Sequence, residues 1–263
     1  MPSGSRVALA VPVAAAIALA ACVPAPPTGG TGDAPRRSAS GAPVEGEVAV
    51  VAAASLARAF DELALAFEAR HPGVDVRAVY DGSSTIVAQL VEGAGADVVA
   101  LADEASLAPV LDLLAGAPVV FATNTLVIAT SPDAAPIGRL EDLADPGLDV
   151  VLCAPEVPCG RAAHALLALA GVEVPVASEE QSVASVLTKV EAGEADAGLV
   201  YATDVVGRDV GVVVPPRADE VVNRYPIARL EHAANATAAD AFVAFVTGPD
   251  GRAVLERLGF GSP

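Results

Sequence analysis

The run Val48-Ala49-Val50-Val51-Ala52-Ala53-Ala54 is apolar without alternation, and directly after it the large apolar residues Leu56, Phe60, Leu63 and Phe67 fall at helical spacing. An unbroken apolar run suits a parallel strand covered on both faces, and the change of period marks a strand feeding a helix. That helix is expected to start at Ser55, acting as its N-cap. His71-Pro72-Gly73 stops it, and residues 74–80 alternate as a second strand. Asp81-Gly82-Ser83-Ser84-Thr85 then turns into a helical pattern of Ile86, Leu90 and Val91. Residues 96–101 read as a third strand, followed by a helix that begins at Asp103 and Glu104 and reaches Leu114. Three successive strand-then-helix units predict a parallel sheet with helices on both faces.

The pattern changes at residues 118–130, where two short strands, 119–121 and 126–128, flank Thr123-Asn124-Thr125 and suggest a crossing into a second domain. A short helix near 140–143 leads to a strand at 149–153 and the loop Ala154-Pro155-Glu156-Val157-Pro158-Cys159-Gly160. Gly160 is expected to open a helix with Ala163, Leu166, Leu167 and Ala170 on one face. A helix over 182–190, strands over 197–201 and 210–214, a returning strand at 225–230 and helices near 239–246 and 252–258 complete the chain. Each helix start has backbone N–H groups without an internal partner and the positive end of the peptide dipoles, so an anion can sit there. Taken singly, Ser55 reads equally as a cap for its own helix, Ser83 as a turn serine and Tyr201 as a half-buried strand aromatic.

Composition narrows the partners. The 263-residue chain is 53% hydrophobic but only 3% aromatic, which favours small-residue α/β packing. Its formal charge of -18, with Lys189 the sole lysine, argues against nucleic-acid backbones and anionic lipid surfaces as electrostatic partners. An anion would have to be held by local dipoles. At the N-terminus Arg6, the apolar residues 7–18 and Leu19-Ala20-Ala21-Cys22 read as an export signal whose ending resembles a bacterial lipobox. That resemblance implies a signal peptide over 1–21 and lipid on Cys22, with residues 22–45, rich in Pro, Gly, Ser and Thr, as a tether. With Cys22 so assigned, Cys153 and Cys159 are open to two readings: a disulfide in an oxidising compartment, or a metal site using Cys159 and His164. The sequon Asn235-Ala236-Thr237 is read as incidental.

Several stretches, in order, resemble the molybdate-binding protein of an ABC importer, the ModA family. They are 51–56, Gly82-Ser83-Ser84-Thr85, Gly95-Ala96-Asp97-Val98, 155–160, 190–201, Tyr225-Pro226-Ile227-Ala228 and Leu258-Gly259-Phe260. The resemblance implies a two-lobe α/β periplasmic-binding-protein fold of type II, with the ligand in the interdomain cleft. Lobe 1 would comprise 46–123 and 225–263, and lobe 2 would be 124–224, with crossings near 123–125 and 224–225. Carried over by position, the oxyanion site falls on the hydroxyls and N–H groups of Ser55 and Ser83, the N–H groups of Cys159 and Val183, and the Tyr201 hydroxyl. No cofactor, cationic side chain or direct metal ligand belongs to this set. The ligand would be molybdate or tungstate, and the partners an ABC permease and its ATPase. The protein would be a lipid-anchored monomer on the extracytoplasmic face, periplasmic or outer, and not an enzyme. The family commonly has Ala where this chain has Cys159 and an acidic residue where it has Ser182. A Cys153–Cys159 bond would stiffen the loop that presents the Cys159 N–H.

The same residues also bear on other functions. A binding protein for sulfate, phosphate, a small organic acid or ferric ion shares the fold, although Tyr80, Tyr201 and Tyr225 are the only phenols available to iron. A serine hydrolase using Ser55 or Ser83 lacks a G-x-S-x-G elbow and a Ser-x-x-Lys motif at Lys189, and the chain has three histidines. A tethered sensor lobe would share the cleft physics and differ only in its membrane partner.

Overall fold

β1 (Gly46–Ala53) buries Val48, Val50 and Ala52 almost completely, as its apolar run requires. The computed structural model describes residues 44–263, so the expected signal peptide, the Cys22 lipidation site and nearly all of the tether lie outside the described residues. After β1 come α1 (Ala57–Arg70), β2 (Val74–Asp81), α2 (Ser83–Val91), β3 (Val98–Ala100), β4 (Val119–Asn124) and β5 (Leu126–Thr130). The chain continues through β6 (Val150–Cys153), α3 (Pro158–Ala170), β7 (Val176–Glu180), α4 (Val183–Glu191), β8 (Ala197–Tyr201) and β9 (Gly211–Val213). It ends with β10 (Asn223–Arg229), α5 (Ala236–Thr247) and α6 (Pro249–Arg257).

The strands form two five-stranded sheets, ordered β2-β1-β3-β10-β4 and β7-β6-β8-β5-β9. The purely parallel expectation holds for β1 with β2 and β3, and for β6 with β7 and β8. It fails at one position in each sheet. β10 lies antiparallel to β3 and β4, and β5 lies antiparallel to β8 and β9. Both are the strands that arrive from the other lobe, so they enter their sheet from the opposite end. With helices on the sheet faces, this is an α/β fold of two lobes.

α1 turns Ala59, Phe60, Leu63 and Phe67 inward, and Phe60 and Phe67 meet Phe242 of α5 edge to face at 6.1 and 5.3 Å. The C-terminal helices therefore cover the first sheet, and edge-to-face rings add to the burial of their area. Asn235 fastens this cover. Its carboxamide oxygen caps α5 by accepting from Ala238 N–H, and its Nδ2 donates to the carbonyls of Glu45 and Glu47 at the start of β1. Tyr201 of the second sheet and Tyr225 of the first meet at 5.9 Å, joining the two cores.

Four local expectations change. Ser55 is no helix cap: it lies inside a 3-10 turn, Ala54–Leu56, and its hydroxyl bonds with the Tyr225 hydroxyl at 3.2 Å instead of its own helix. The expected helix from Asp103 to Leu114 is a 3-10 helix over Ala105–Leu113, because Pro109 removes an N–H and restricts the residue before it. α3 starts at Pro158, two residues before Gly160, since proline is pre-shaped for a first helical position. β7 was not anticipated. It alternates about Ser178 and Glu180, which bind Lys189, so it lacks the apolar pattern that marks a strand. Among the described residues no helix is long and apolar enough to cross a membrane.

Candidate functional site

One cavity lies between the lobes, bordered on one side by Ser55 and Ser83 and on the other by Cys159, Val183 and Tyr201. All five residues singled out from the sequence thus border one space. Its volume open to the centre of a water-sized sphere is about 20 Å³. That corresponds to an object roughly 3 Å in radius, a few heavy atoms and far less than a sugar or amino acid.

The donors come from helix starts. Ser83 is the first residue of α2, Val183 the first of α4 and Cys159 the second of α3, positions whose N–H groups have no partner within the helix. Ser182 caps α4 by accepting from Ser185 N–H and not from Val183 N–H, and Val183 itself borders the cavity. The α3 start is held tightly. A β-carbon on Gly160 would lie 1.8 Å from the Ala154 carbonyl oxygen, so only glycine lets the helix begin so close to its own loop.

Cys153, at the end of β6, is bonded to Cys159 with a Cα–Cα distance of 5.6 Å. This answers the choice left open by the sequence. The Cys159 sulfur is committed, His164 is exposed, and among the described residues no three His, Cys, Asp or Glu could hold a metal. The metal-site reading is therefore overturned, and the bond ties the N–H of Cys159 to the adjacent strand.

The hydroxyls are arranged as donors. Ser83 Oγ accepts from Ala102 N–H at 3.1 Å, so its own proton is left for another acceptor. Tyr201 Oη accepts from Asn223 Nδ2 at 2.9 Å. Burial pushes both Tyr201 and Tyr225 above the usual phenol range, which keeps them protonated. No Asp, Glu, Lys, Arg or His borders the cavity. Such a space suits a small acceptor-only ligand, since neutral donors aimed inward make charge-assisted bonds to an anion without burying a cation.

Charged groups stand behind this surface. Asp204 accepts from Tyr201 N–H at 3.1 Å, and burial raises its carboxyl to about 7. Arg161 on α3 reaches Asp103 and Ser106 of the first lobe. Sequence reading missed Asn223 and Asn124, buried amides that bond Tyr201 and, at 3.5 Å, Tyr225. The available signal for Asn124 was a polar side chain at the end of the largely apolar β4; for Asn223 it was masked by Arg224 and Arg229 in the same strand.

Comparison with known proteins agrees with this geometry. Residues 48–261 match the family model described as bacterial extracellular solute-binding protein. The chain is 44% identical over 233 residues to the molybdate-binding protein ModA of Mycobacterium bovis, covering 86% of this chain and 89% of that one. It is 30% identical to ModA of Escherichia coli, over 82% of this chain and 89% of that one. The periplasmic molybdate-binding protein of Azotobacter vinelandii superposes with a TM-score of 0.73 at 22% identity, over 82% of this chain and 99% of that one. A family-model match over residues 48–261 and a 44% identical relative over most of both chains place this protein in the bacterial extracellular solute-binding protein family, within its ModA group.

Proposed function

We propose that this protein captures molybdate, and tungstate with it, and delivers the anion to an ABC importer. The observation that carries the reading is the convergence of Ser55, Ser83, Cys159, Val183 and Tyr201 from both lobes on a cavity of about 20 Å³ with no charged side chain on its walls. The names of the M. bovis and E. coli relatives support molybdate as the ligand. In this reading Ser55, Ser83 and Tyr201 donate through hydroxyls, and Cys159 and Val183 through backbone N–H groups. Selectivity against sulfate comes from the spacing of these donors, because molybdate and tungstate are the larger tetrahedra.

The lobes are taken as 46–123 with 225–263, and 124–224, closing on the anion by hinge motion. Lipid on Cys22 would hold the protein as a monomer at the extracytoplasmic face, within reach of a permease and its ATPase. No chemistry is performed on the ligand.

Isothermal titration calorimetry of the purified full-length protein with molybdate, tungstate, sulfate and phosphate tests the reading. Saturable one-to-one heat from molybdate and tungstate, lost or weakened in Ser83→Ala and Tyr201→Phe, is the expected result. Heat from sulfate or phosphate alone would reassign the ligand. Silence from all four would remove the oxyanion reading.

A further inference from the structure

Asn223 opens β10 in the first sheet and is 6% exposed. Its Nδ2 lies 3.0 Å from the Ala102 carbonyl oxygen and 2.9 Å from Tyr201 Oη. The carbonyl can only accept, so the amide corner that faces it has to be nitrogen, which fixes the orientation of the carboxamide. The second N–H of that nitrogen is then given to the Tyr201 oxygen. A phenol whose oxygen is already accepting must place its proton elsewhere. Tyr201 borders the cavity, with Tyr225 as its hydroxyl neighbour across the hinge.

The same backbone unit sets the second hydroxyl. Ala102, just past β3, donates its N–H to Ser83 Oγ at 3.1 Å and its carbonyl anchors Asn223. One residue thereby orients a hydroxyl from each lobe, Ser83 directly and Tyr201 through Asn223. Tyr201 ends β8 of the second sheet, and Asn223 stands at the crossing, paired with Asn124 where β10 enters the first sheet.

We propose that Asn223 is a positioning residue of the oxyanion site, holding the Tyr201 hydroxyl so that its proton is offered to the bound anion. The proposal rests on the oxyanion reading above. It makes the donor polarity of Tyr201 a property of the Ala102–Asn223 pair and not of the tyrosine alone.

The test is a double-mutant cycle in full-length protein, with molybdate as the titrant for wild type, Asn223→Leu, Tyr201→Phe and the double variant. Leu keeps the branching and heavy-atom count of Asn, though it is bulkier, and removes both donors; Asn223→Ala serves if Leu fails to fold. Asn223→Leu is expected to weaken molybdate binding by roughly three- to tenfold in the wild-type background and by less than about twofold in Tyr201→Phe. In the protein without ligand, the carbon-13 resonance of Tyr201 Cζ should shift in Asn223→Leu while that of Tyr80 stays. With only three tyrosines in the chain, Tyr201→Phe assigns the signal. Equal losses in both backgrounds, or an unmoved Cζ resonance, would reduce Asn223 to a structural residue and overturn the proposal. A wild type silent toward molybdate and tungstate would instead overturn the oxyanion reading, and this proposal with it.

Discussion

The guanidinium of Arg161, on the first turn of α3, reaches out of its own lobe to clasp Asp103 of the other at 2.7 Å. Its Nε donates to one Asp103 oxygen at 2.8 Å and Nη2 to the other at 3.0 Å, while Nη2 also meets Ser106 Oγ at 2.8 Å. This fork spans the cleft beside the cavity, and the Asp103 charge is felt at Tyr201. Removing Arg161 would therefore do two things: weaken lobe closure, and leave a carboxylate unbalanced near an anion site.

Arg161→Ala is expected to weaken molybdate binding by about tenfold, chiefly through faster release, with a small change in ligand-free Tm. Lys at this position should recover only part, because it lacks the planar fork. Asp103→Asn in the Arg161→Ala background should restore affinity partly by removing the stranded charge. Stopped-flow release rates check this, and an unchanged off-rate would show that the pair contributes nothing to closure.

Gly82 provides a second closure test. A β-carbon there would lie 2.2 Å from the backbone oxygen of Gln181 on the opposite lobe. Its φ of -58° is ordinary for any residue, so substitution strains the approach of the lobes and not the chain itself. Gly82→Ala should leave the ligand-free melting temperature within a degree or so and cut oxyanion affinity by at least about tenfold. Gly95→Ala, where a β-carbon meets nothing within 4 Å, is the control. Small-angle scattering with saturating molybdate should show the Gly82→Ala protein more extended than wild type.

The Cys153–Cys159 bond closes a short loop, with a sequence separation of 6. On the chain-entropy model such a bond contributes about 2 kcal/mol by restricting the unfolded chain. Cys153→Ala/Cys159→Ala should lower stability by about that amount in urea titrations. It should also lower oxyanion affinity severalfold, because the N–H of residue 159 loses its tether to β6. Lost stability with unchanged affinity would confine the bond to a folding role.

Asp204 sets a pH dependence with a definite sign. Burial penalises the charged form and pushes its folded carboxyl up to about 7, from the ordinary aspartate value of 3.8. Below the unfolded value both states hold the proton and nothing is lost. Between the two values the folded state holds more protons than the unfolded one, so stability falls as pH rises from about 4 to about 7 and stays lower above it. Asp204→Asn should therefore match wild type near pH 4 and be more stable by roughly 1–3 kcal/mol at pH 8. The same variant should bind a dianion more tightly at pH 8 than wild type does. Urea midpoints and calorimetry across this range measure both, and parallel pH profiles for the two proteins would refute the assignment.

Much of the path from sequence to site was legible because it depends on local periodicity. β8 follows the expected limits of residues 197–201, and β2 and α4 begin within a residue of expectation. The helix starts at Ser83 and Val183 were visible as changes of period, and their free N–H groups follow from helix geometry alone. Reading went astray where a distant partner outbids the local signal. Ser55 looks like a cap until Tyr225, 170 residues away, takes its hydroxyl. β7 looks like a polar loop until β6 supplies a ladder and Lys189 meets its side chains.

The amino-acid sequence by itself determined the alternation of strands and helices, the apolar faces that bury them, and which positions expose unpaired N–H groups, since each of these is set within a few residues by backbone geometry and burial. Only the tertiary structure decided how those groups face one another. The antiparallel entry of β5 and β10, the 2.2 Å approach at Gly82, the Arg161 fork and the Asn223 bridge all join residues far apart in the chain. Their geometry follows from how two packed lobes meet, and no local pattern of side chains encodes it.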